Sequence, residues 1–191
     1  MVIIIKNNIE IRSAVEADAP MLNAWWNDGA VMAHAGFSNG LGQSMEQTRQ
    51  QLAANEGRLS QLCIILIDGV PVGELSFQIG QNEARPGWKI CETRYQNKGY
   101  GRQIIWMTFE YLFLDKALNT KMPIHCIFWD TNLTNTRAQH VYESLGATRL
   151  RVVEEAFTDQ LGVPQDAVEY ELTRESFLKL QEQRQSNHHN I

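Results

Sequence analysis

A short glycine-rich stretch has the residue types and spacing of an anion-binding turn. Residues 96–102 read Gln-Asn-Lys-Gly-Tyr-Gly-Arg and lie between a predicted strand ending near Cys91 and a predicted apolar helix. The first amides of a helix lack intrahelical partners, and the helix dipole places positive charge at the same end. Gly99 and Gly101 leave no Cβ atom in the way of a ligand, while Lys98 and Arg102 add positive charge. The stretch therefore suits a phosphate group.

The same residues are also typical of a surface loop that simply begins a helix. They match neither Gly-x-x-x-x-Gly-Lys-Ser/Thr nor Gly-x-Gly-x-x-Gly, the two common nucleotide-binding patterns. The choice between a binding turn and a plain loop depends on the rest of the chain.

Length and composition favour one domain over residues 1–191. The chain is 43% hydrophobic, as is usual for a globular protein, and we see no internal repeat or linker. It has 17 basic against 22 acidic residues, a net charge of -5 and no long basic run, which argues against a nucleic-acid partner. The apolar start, residues 1–6, is too short for a signal peptide core or a membrane span. We expect a cytoplasmic protein without a membrane partner.

The cysteines and histidines favour no metal site. Cys63, Cys91 and Cys126 are odd in number, widely spaced and embedded in apolar runs, so we expect neither a disulfide framework nor a zinc site. His188 and His189 are adjacent in the polar tail 186–191, and a disordered terminus accounts for them better than a metal does.

The first part of the chain is predicted to alternate short strands and helices. The predicted elements are strands at 2–5 and 9–12, a helix over 18–26, a long loop over 29–42 and a polar helix from 44 to about 57. Ser44 and Gln47 form a capping box for that last helix. A loop as long as 29–42 is often a binding loop, although a plain connection fits equally well.

The remainder is predicted to contain a meander of strands followed by alternating helices and strands. Asp68-Gly69 is a strong hairpin signal between two apolar strands. A helical stripe of Ala138, Val141, Tyr142 and Leu145 directs Tyr142 inward, and Gly146 ends that helix. The predicted elements are strands at 62–67, 70–79 and 84–91, a helix over 100–118, a strand at 124–129, a turn at 130–135, strands at 148–157 and 167–172, and a helix over 174–185.

Two segments, in this order of elements, resemble a known family. Residues 96–101 resemble the Gln/Arg-x-x-Gly-x-Gly/Ala pyrophosphate loop of the GNAT superfamily of acetyl-CoA-dependent N-acetyltransferases. Residues 135–147 resemble its Asn-x-x-Ala-x-x-x-Tyr-x-x-x-Gly-Phe segment. The resemblance covers about residues 10–172, and Trp26-Asn-Asp28 is most similar to the branch with ribosomal-protein and aminoglycoside acetyltransferases.

The resemblance implies an α/β (α+β) fold with a central mixed, mostly antiparallel sheet flanked by helices. It implies acetyl-CoA as cosubstrate, no metal, and a sheet that permits a homodimer. Backbone groups of Ile90 and Cys91 would pair with the pantetheine arm, which Asn135 would also contact. The amides of the turn would hold the pyrophosphate; these residues are Gln96, Asn97, Lys98, Gly99, Tyr100, Gly101 and Arg102.

The resemblance also implies a general acid, whereas the general base departs from the family pattern. Tyr142 matches the residue that protonates the departing thiolate. Arg85 occupies the position where many members have a glutamate, and an arginine cannot deprotonate an ammonium at neutral pH. Glu83 and Glu92 are the candidate bases that we single out. Glu74 and Asp130 are other carboxylates near strand ends, and a water relay or no base at all is equally consistent.

The acceptor implied is a primary amine of a small molecule or of a peptide or protein N-terminus. Trp26, Asp28 and Phe37, with His34 nearby, lie in the region that forms the acceptor side in this family. Asp28 is the only acid between 26 and 44, which favours an acceptor other than a polycation. The alternative hypothesis is an acyl-CoA-binding sensor that kept the fold and lost turnover.

Overall fold

The computed structural model of the protein describes residues 2–54, 60–120 and 122–188. Its strands form one eight-stranded sheet in the order β1-β2-β3-β4-β5-β6-β8-β7. The strands are β1 Val2–Lys6, β2 Ile9–Ser13, β3 Ser60–Ile67, β4 Val70–Ile79, β5 Glu83–Ile90, β6 Cys126–Asn132, β7 Thr148–Thr158 and β8 Pro164–Thr173. The α-helices are α1 Ala19–Asn27, α2 Gly29–Met32, α3 Met45–Ala54, α4 Tyr100–Leu114, α5 Lys116–Asn119, α6 Thr136–Ser144 and α7 Arg174–His188.

Strands β1 to β5 form an antiparallel meander, of which the sequence predicts the last three strands. Asp68 and Gly69 join β3 to β4 with φ angles of 51° and 74°. Two successive positive φ values are the mark of a type I′ turn, whose twist suits a tight hairpin. The predicted mixed, mostly antiparallel sheet is confirmed.

The sheet opens between β5 and β6, which form its one parallel pair. They pair only at Glu83 with Cys126 and at Ala84 with Ile127. Beyond those pairs β5 continues to Ile90 and β6 to Asn132, where β6 pairs with β8 on its other side. A gap therefore separates the carboxyl ends of the two central strands.

Helices cover both faces of the sheet and build two hydrophobic cores. α1 and α3 pack with β3 on one face, and α4 and α7 pack on the other. In α4 the side chains from Ile104 to Phe109, with Leu112 and Phe113, are all buried. This confirms the predicted core helix and fixes the orientation of its first turn toward the gap.

Several predicted boundaries are wrong in an instructive way. The loop predicted over 29–42 begins with α2 and a 3-10 turn at Ala33–Ala35, because the Asp28 carboxylate accepts from the Ala30 amide at 2.8 Å and caps a helix there. The helix predicted over 100–118 breaks at Asp115, whose carboxylate caps α5 through the Leu118 amide.

Two further boundaries differ from the prediction. β6 begins at Cys126 and ends at Asn132, so residues 130–132 belong to a strand because they pair with β8. α7 continues to His188, past the predicted end at 185. Residues 189–191 of the predicted tail, and the predicted end of the helix near 57, lie outside the described residues.

The three cysteines are free, with Cys63 and Cys91 buried and Cys126 half-buried. Over residues 2–54, 60–120 and 122–188 there is no group of three or more metal-ligating side chains. Within the same ranges, none of the helices has the length and apolar character needed to cross a bilayer.

Candidate active site

A cavity of about 720 Å³ occupies the gap between β5 and β6. Its walls come from Pro86–Ile90 of β5, from 129–132 of β6, and from the first turns of α4 and α6. The segment 30–35 and Phe157 of β7 close one end. The cavity therefore joins the glycine turn, the splayed strands and α6 in one continuous space. Its charged or ionisable lining residues are His34, Lys89, Asp130, Arg137 and Tyr142.

The glycine turn presents open amides to this cavity. Gly99 has a φ of 81° and precedes α4 without a side-chain cap, and the Gln103 amide reaches back to the Gly99 carbonyl at 3.4 Å. The amides before Gln103 in the first turn therefore have no intrahelical acceptor. A Cβ atom added at Gly99 would have no heavy atom within 4 Å, and one at Gly101 would come no closer than 3.9 Å to Ile90. The space in front of these amides is free for an anion, as the sequence predicts.

The end of β5 is tied to this turn and offers one backbone donor to the gap. Gln96 Nε2 donates to the Ile90 carbonyl at 2.8 Å. The Cys91 amide donates to the Val72 carbonyl at 2.9 Å and is therefore engaged with β4. Since successive peptide groups of a strand face opposite edges, the Ile90 amide faces the gap. Of the two residues expected to pair with pantetheine, Ile90 is placed to donate to the gap and Cys91 is not.

Cys91 also lacks the environment of a reactive thiol. It is 4% exposed, and burial, followed by the charge of Glu74, raises the pKa of its thiol far above the ordinary value. A thiol that stays protonated is a poor nucleophile. Cys91 is therefore a packing residue of the core.

α6 holds Asn135 and Tyr142 against the cavity. The Asn135 side chain accepts from the Ala138 amide at 3.2 Å and donates to Thr131 Oγ1 at 3.2 Å, so it caps α6 while lining the cavity. The Tyr142 ring packs edge-on against Trp129 at 5.5 Å and Tyr170 at 5.4 Å. In the described part of the chain its phenol oxygen has no hydrogen-bond partner. The predicted inward direction of Tyr142 is confirmed, and its hydroxyl is available to a bound molecule.

The environment of Tyr142 keeps its phenol protonated. Burial, then the negative charge of Asp130 and the neighbouring Tyr170, raises the pKa of Tyr142 well above its ordinary value near 10. A neutral phenol can donate a proton to a thiolate as that thiolate forms.

Asp130 is the acid of this cavity. It lies on β6 opposite Glu169 of β8, and its side chain is solvent-accessible. Burial of the carboxyl by its surroundings, then the charge of Glu169, raises the pKa of Asp130, and Arg85 partly opposes that effect. A carboxylate held in this way binds a proton more strongly than an exposed aspartate does.

Lys89 and His34 give the end of the cavity beside residues 30–35 a different character. Lys89 Nζ pairs with Glu74 Oε1 at 2.9 Å, and Trp26 Nε1 donates to Glu74 Oε2 at 2.8 Å. Burial, then the charge of Lys89, lowers the pKa of His34. His34 is therefore neutral near pH 7, and the buried Glu74–Lys89 pair fixes the wall beside it.

The β7–β8 hairpin holds residues 36–40, which the resemblance places on the acceptor side, through hydrogen bonds. The Gln160 amide donates to the Gly36 carbonyl at 2.7 Å. Its side chain donates to the Gly40 carbonyl at 2.9 Å and accepts from the Asn39 amide at 2.9 Å. These bonds join positions about 120 residues apart in the chain and close the cavity beside Phe157.

The two carboxylates singled out as candidate bases lie away from this cavity. Glu83 is at the amino end of β5, where its Oε1 pairs with Arg85 Nε at 3.1 Å. Glu92 accepts from Trp25 Nε1 at 3.1 Å. Neither is among the lining residues, and Arg85 lies over the Phe128 ring at 5.4 Å.

The three residues expected to touch the acceptor have other contacts. Trp26 is 4% exposed and supports Glu74 from inside the core. Asp28 caps α2, and Phe37 is exposed at 39%. None of the three lines the cavity, although they belong to the segment that leads to it.

The site residues expected from the sequence leave out several lining residues, among them Trp88, Trp129 and Lys89, and include His34 only as a neighbour of the acceptor region. Trp88 and Trp129 face the α4 side of β5 and β6. Because Trp88 lies two residues before Ile90 and therefore on the same strand face, strand alternation would have identified it. Lys89 lies on the opposite face of β5, and a single lysine in a strand is usually interpreted as solvent-exposed. His34 lies in a 3-10 turn, which has no periodic signal.

Comparison with known proteins agrees with this geometry. A family model described as an acetyltransferase (GNAT) domain matches residues 8–148. A search of curated proteins finds no match. Structures of similar fold include a spermidine N-acetyltransferase from Vibrio cholerae in complex with CoA and spermine, with a TM-score of 0.78, 17% identity, and coverage of 91% of this chain and 99% of that one.

Two further structures are similar. A GNAT-family acetyltransferase from Bacillus anthracis has a TM-score of 0.73 and 23% identity, covering 92% of this chain and 99% of that one. An acetyl transferase from Salmonella typhimurium, described as modifying the N-terminal serine of ribosomal protein L7/L12, has a TM-score of 0.72 and 19% identity, covering 91% and 99%. Because the family model spans most of the chain, the chain belongs to the GNAT superfamily of acetyl-CoA-dependent N-acetyltransferases.

Proposed function

We propose that this protein transfers the acetyl group of acetyl-CoA directly to a primary amine, using Tyr142 as general acid. The observation that carries the proposal is the single cavity that joins the open amides of α4, the β5–β6 gap and the Tyr142 hydroxyl. A pyrophosphate at the turn, a pantetheine arm in the gap and a thioester beside Tyr142 would fill it in that order.

The residues present fit the donor. The amides of the turn and the positive end of α4 suit two phosphates, and the glycines leave the approach open. The Ile90 amide offers a hydrogen bond to an extended amide-containing arm, and Asn135 stands across the gap. Tyr142 would then supply a proton to the sulfur as the carbon–sulfur bond breaks.

The acceptor that fits is an amine on a small molecule or at a peptide N-terminus, and we favour one that is not a polycation. Among the lining residues described, Asp130 is the acid, whereas Lys89 and Arg137 are basic. Similar structures include acetyltransferases for spermidine and for a ribosomal-protein N-terminus. The charges of this cavity support the second kind of acceptor more than a polyamine, because Arg137 would repel a second ammonium group, whereas the charge of Lys89 is paired with Glu74.

We further propose a cytoplasmic protein that binds neither nucleic acid nor membranes and that acts as a single domain. The net charge of -5 and the three free cysteines support this. A homodimer is consistent with the apolar side chains exposed on β7, such as Leu150 and Val152, and light scattering in solution tests it.

A thiol-release assay with acetyl-CoA tests the function. The purified protein is offered peptides with free N-termini, monoamines and polyamines, and formation of CoA thiol is followed. Turnover with at least one amine is expected. Acetyl-CoA binding without turnover across the panel would instead support the sensor hypothesis, and absence of both would contradict the assignment of the cavity.

A further inference from the structure

We propose that Asp130 holds the ammonium group of the acceptor and accepts its proton, so that it acts as the general base of acetyl transfer. This inference rests on the proposed function, because it assigns a base to the same cavity. The proposed base therefore lies on β6, across the gap from β5.

Asp130 lies where the reaction would take place. It is three residues beyond Ile127, the last residue of β6 that pairs with β5. It therefore stands at the edge of the gap, on the strand that runs into α6 and Tyr142. Asp130 and Tyr142 line the same cavity, and the charge of Asp130 reaches the phenol strongly enough to raise its pKa. A base and an acid thus face one space from neighbouring elements.

The two candidates near the start and end of β5 lack this placement. Glu83 is held by Arg85 at 3.1 Å, and Glu92 is held by the indole of Trp25. Glu74 is buried and is held by Lys89 and Trp26. Asp130 is the carboxylate that both lines the cavity and is solvent-accessible.

Charge distribution within the cavity directs an ammonium toward Asp130. Arg137 repels a cation, the charge of Lys89 is offset by Glu74, and His34 is held neutral. Asp130 is backed by Glu169, which adds negative charge from β8. An incoming ammonium group is therefore attracted to Asp130 and away from the other charged parts of the wall.

Burial and then the charge of Glu169 make Asp130 a stronger base than a free aspartate, and Arg85 partly opposes this. Glu169 faces it from β8 but is itself paired with Arg151 of β7 at 2.7 Å. Arg85 faces it from β5 and is shared with Glu83 and the Phe128 ring. Tyr142 faces it from α6, while His34, Lys89 and Arg137 lie elsewhere on the cavity wall.

The proposed reaction moves protons through Asp130 and Tyr142. The Asp130 carboxylate takes one proton from the ammonium, leaving a neutral amine with a free electron pair. The nitrogen attacks the thioester carbonyl carbon, the carbon–nitrogen bond forms, and the carbon–sulfur bond breaks. The Tyr142 hydroxyl protonates the departing sulfur, and the second proton lost by the nitrogen restores the phenol. Asp130 then releases its proton to solvent, so the net products are an amide, CoA thiol and one proton.

The test compares Asp130→Asn with the wild type on an amine that the wild type acetylates. Asparagine keeps the shape of the side chain but cannot accept a proton, so we expect kcat to fall by roughly 100-fold or more. In the wild type, kcat should decline toward acid pH as Asp130 becomes protonated, and this acid limb should disappear in Asp130→Asn. The thermal shift produced by acetyl-CoA should be unchanged, and Asp130→Glu should recover part of the rate.

Controls separate this role from simple attraction of the acceptor. Glu154→Gln removes an exposed acid on β7 and should leave the rate and the pH profile as in the wild type. A higher KM with unchanged kcat and an intact acid limb in Asp130→Asn would overturn the base role. Loss of the acid limb in Glu83→Gln or Glu92→Gln instead would also overturn it. A wild type that acetylates no amine would contradict the proposed function itself, which is a different result.

Discussion

Tyr142 shows how one side chain can belong to the core and to the site together. Its ring completes an aromatic cluster with Trp88, Trp129 and Tyr170, with centroid distances of 5.4 to 6.2 Å. Its hydroxyl points into the cavity without a protein partner in the described part of the chain. The ring packing therefore positions the hydroxyl. Removing the oxygen alone separates the contribution of the hydroxyl from that of the ring packing.

Replacing Tyr142 by phenylalanine should lower kcat by about 10- to 100-fold while acetyl-CoA binding changes little, because the ring packing remains and the proton donor is lost. The measurement is steady-state kinetics combined with the acetyl-CoA thermal shift. Tyr170→Phe is the matched control: it removes a hydroxyl that donates to Glu143 Oε1 at 3.0 Å, so it should cost about 1 kcal/mol of stability and spare catalysis. Unchanged kcat in Tyr142→Phe would leave Tyr142 with a packing role only.

Gly101→Val should abolish acetyl-CoA binding, because its side chain would fill the space in front of the α4 amides. The nearest atom to an added Cβ is 3.9 Å away, so the fold itself should tolerate the change. Isothermal titration with acetyl-CoA is the direct measurement. Gln103→Val places the same residue on an exposed position of α4 and should bind as the wild type does. Equal affinity in both variants would mean that the turn is structural.

The acceptor end is built by two elements that meet from opposite ends of the chain. The β7–β8 hairpin extends past the sheet, and Gln160 at its tip bonds the backbone of residues 36–40. A Cβ atom at Gly36 would lie 2.9 Å from the Phe157 ring, so the contact is close. The hairpin therefore sets the position of the segment that contains His34.

Gln160→Ala should raise the KM for the amine several-fold and leave the affinity for acetyl-CoA unchanged, because two side-chain hydrogen bonds to the acceptor segment are lost and the donor site is distant. Leu161→Ala is the matched control, since Leu161 is 66% exposed at the same hairpin tip. Initial-rate kinetics with each substrate varied in turn measures the effect. A changed KM for acetyl-CoA alone would contradict the assignment of the hairpin to the acceptor end.

The molecule as a whole is joined across its cavity by few backbone contacts. Strands β5 and β6 share two paired positions, next to which the Asn82 carbonyl accepts from the His125 and Cys126 amides, and the aromatic cluster around Trp129 and the bonds of Gln160 join the two parts on either side of the cavity. A ligand bound between them contacts both parts and is released on unfolding. Binding to the native state alone stabilises it by mass action.

Acetyl-CoA at about 100 times its Kd should therefore raise the free energy of unfolding by about 2.7 kcal/mol. For a chain of this size, the expected rise in Tm is roughly 5 to 10 °C. Differential scanning calorimetry over a range of acetyl-CoA concentrations measures it. Inorganic pyrophosphate at the same concentration is the comparison and should give a smaller shift, because it contacts the turn but does not cross the gap.

Local chemistry accounts for the parts of this protein that its sequence predicts well. The Asp68-Gly69 hairpin, the Ser44 and Gln47 capping box and the glycine turn each depend on neighbouring residues and on backbone angles that few residue types adopt. Helical periodicity likewise directs Tyr142 inward. These features predict the order of elements, the opening of α4 toward an anion and the acid of the proposed reaction.

Other boundaries depend on partners that are distant in the chain. β6 extends through Asp130 only because β8 pairs with it there, and the sequence alone shows a strand-ending polar run. α2 forms within a stretch without periodicity because a single carboxylate caps it. Long-range pairing and single capping bonds of this kind leave no periodic signal.

The sequence by itself determined the parts of the proposed donor side: a glycine turn opening a core helix, followed by a segment that presents a tyrosine. These depend on contiguous residues and on helix and strand periods. The tertiary structure alone decided which carboxylate lines the cavity. Glu83, Glu92 and Asp130 are all acids near strand ends. The divergence of β5 from β6 places Asp130 on the cavity wall, whereas Glu83 and Glu92 lie outside the cavity and are bonded to Arg85 and Trp25.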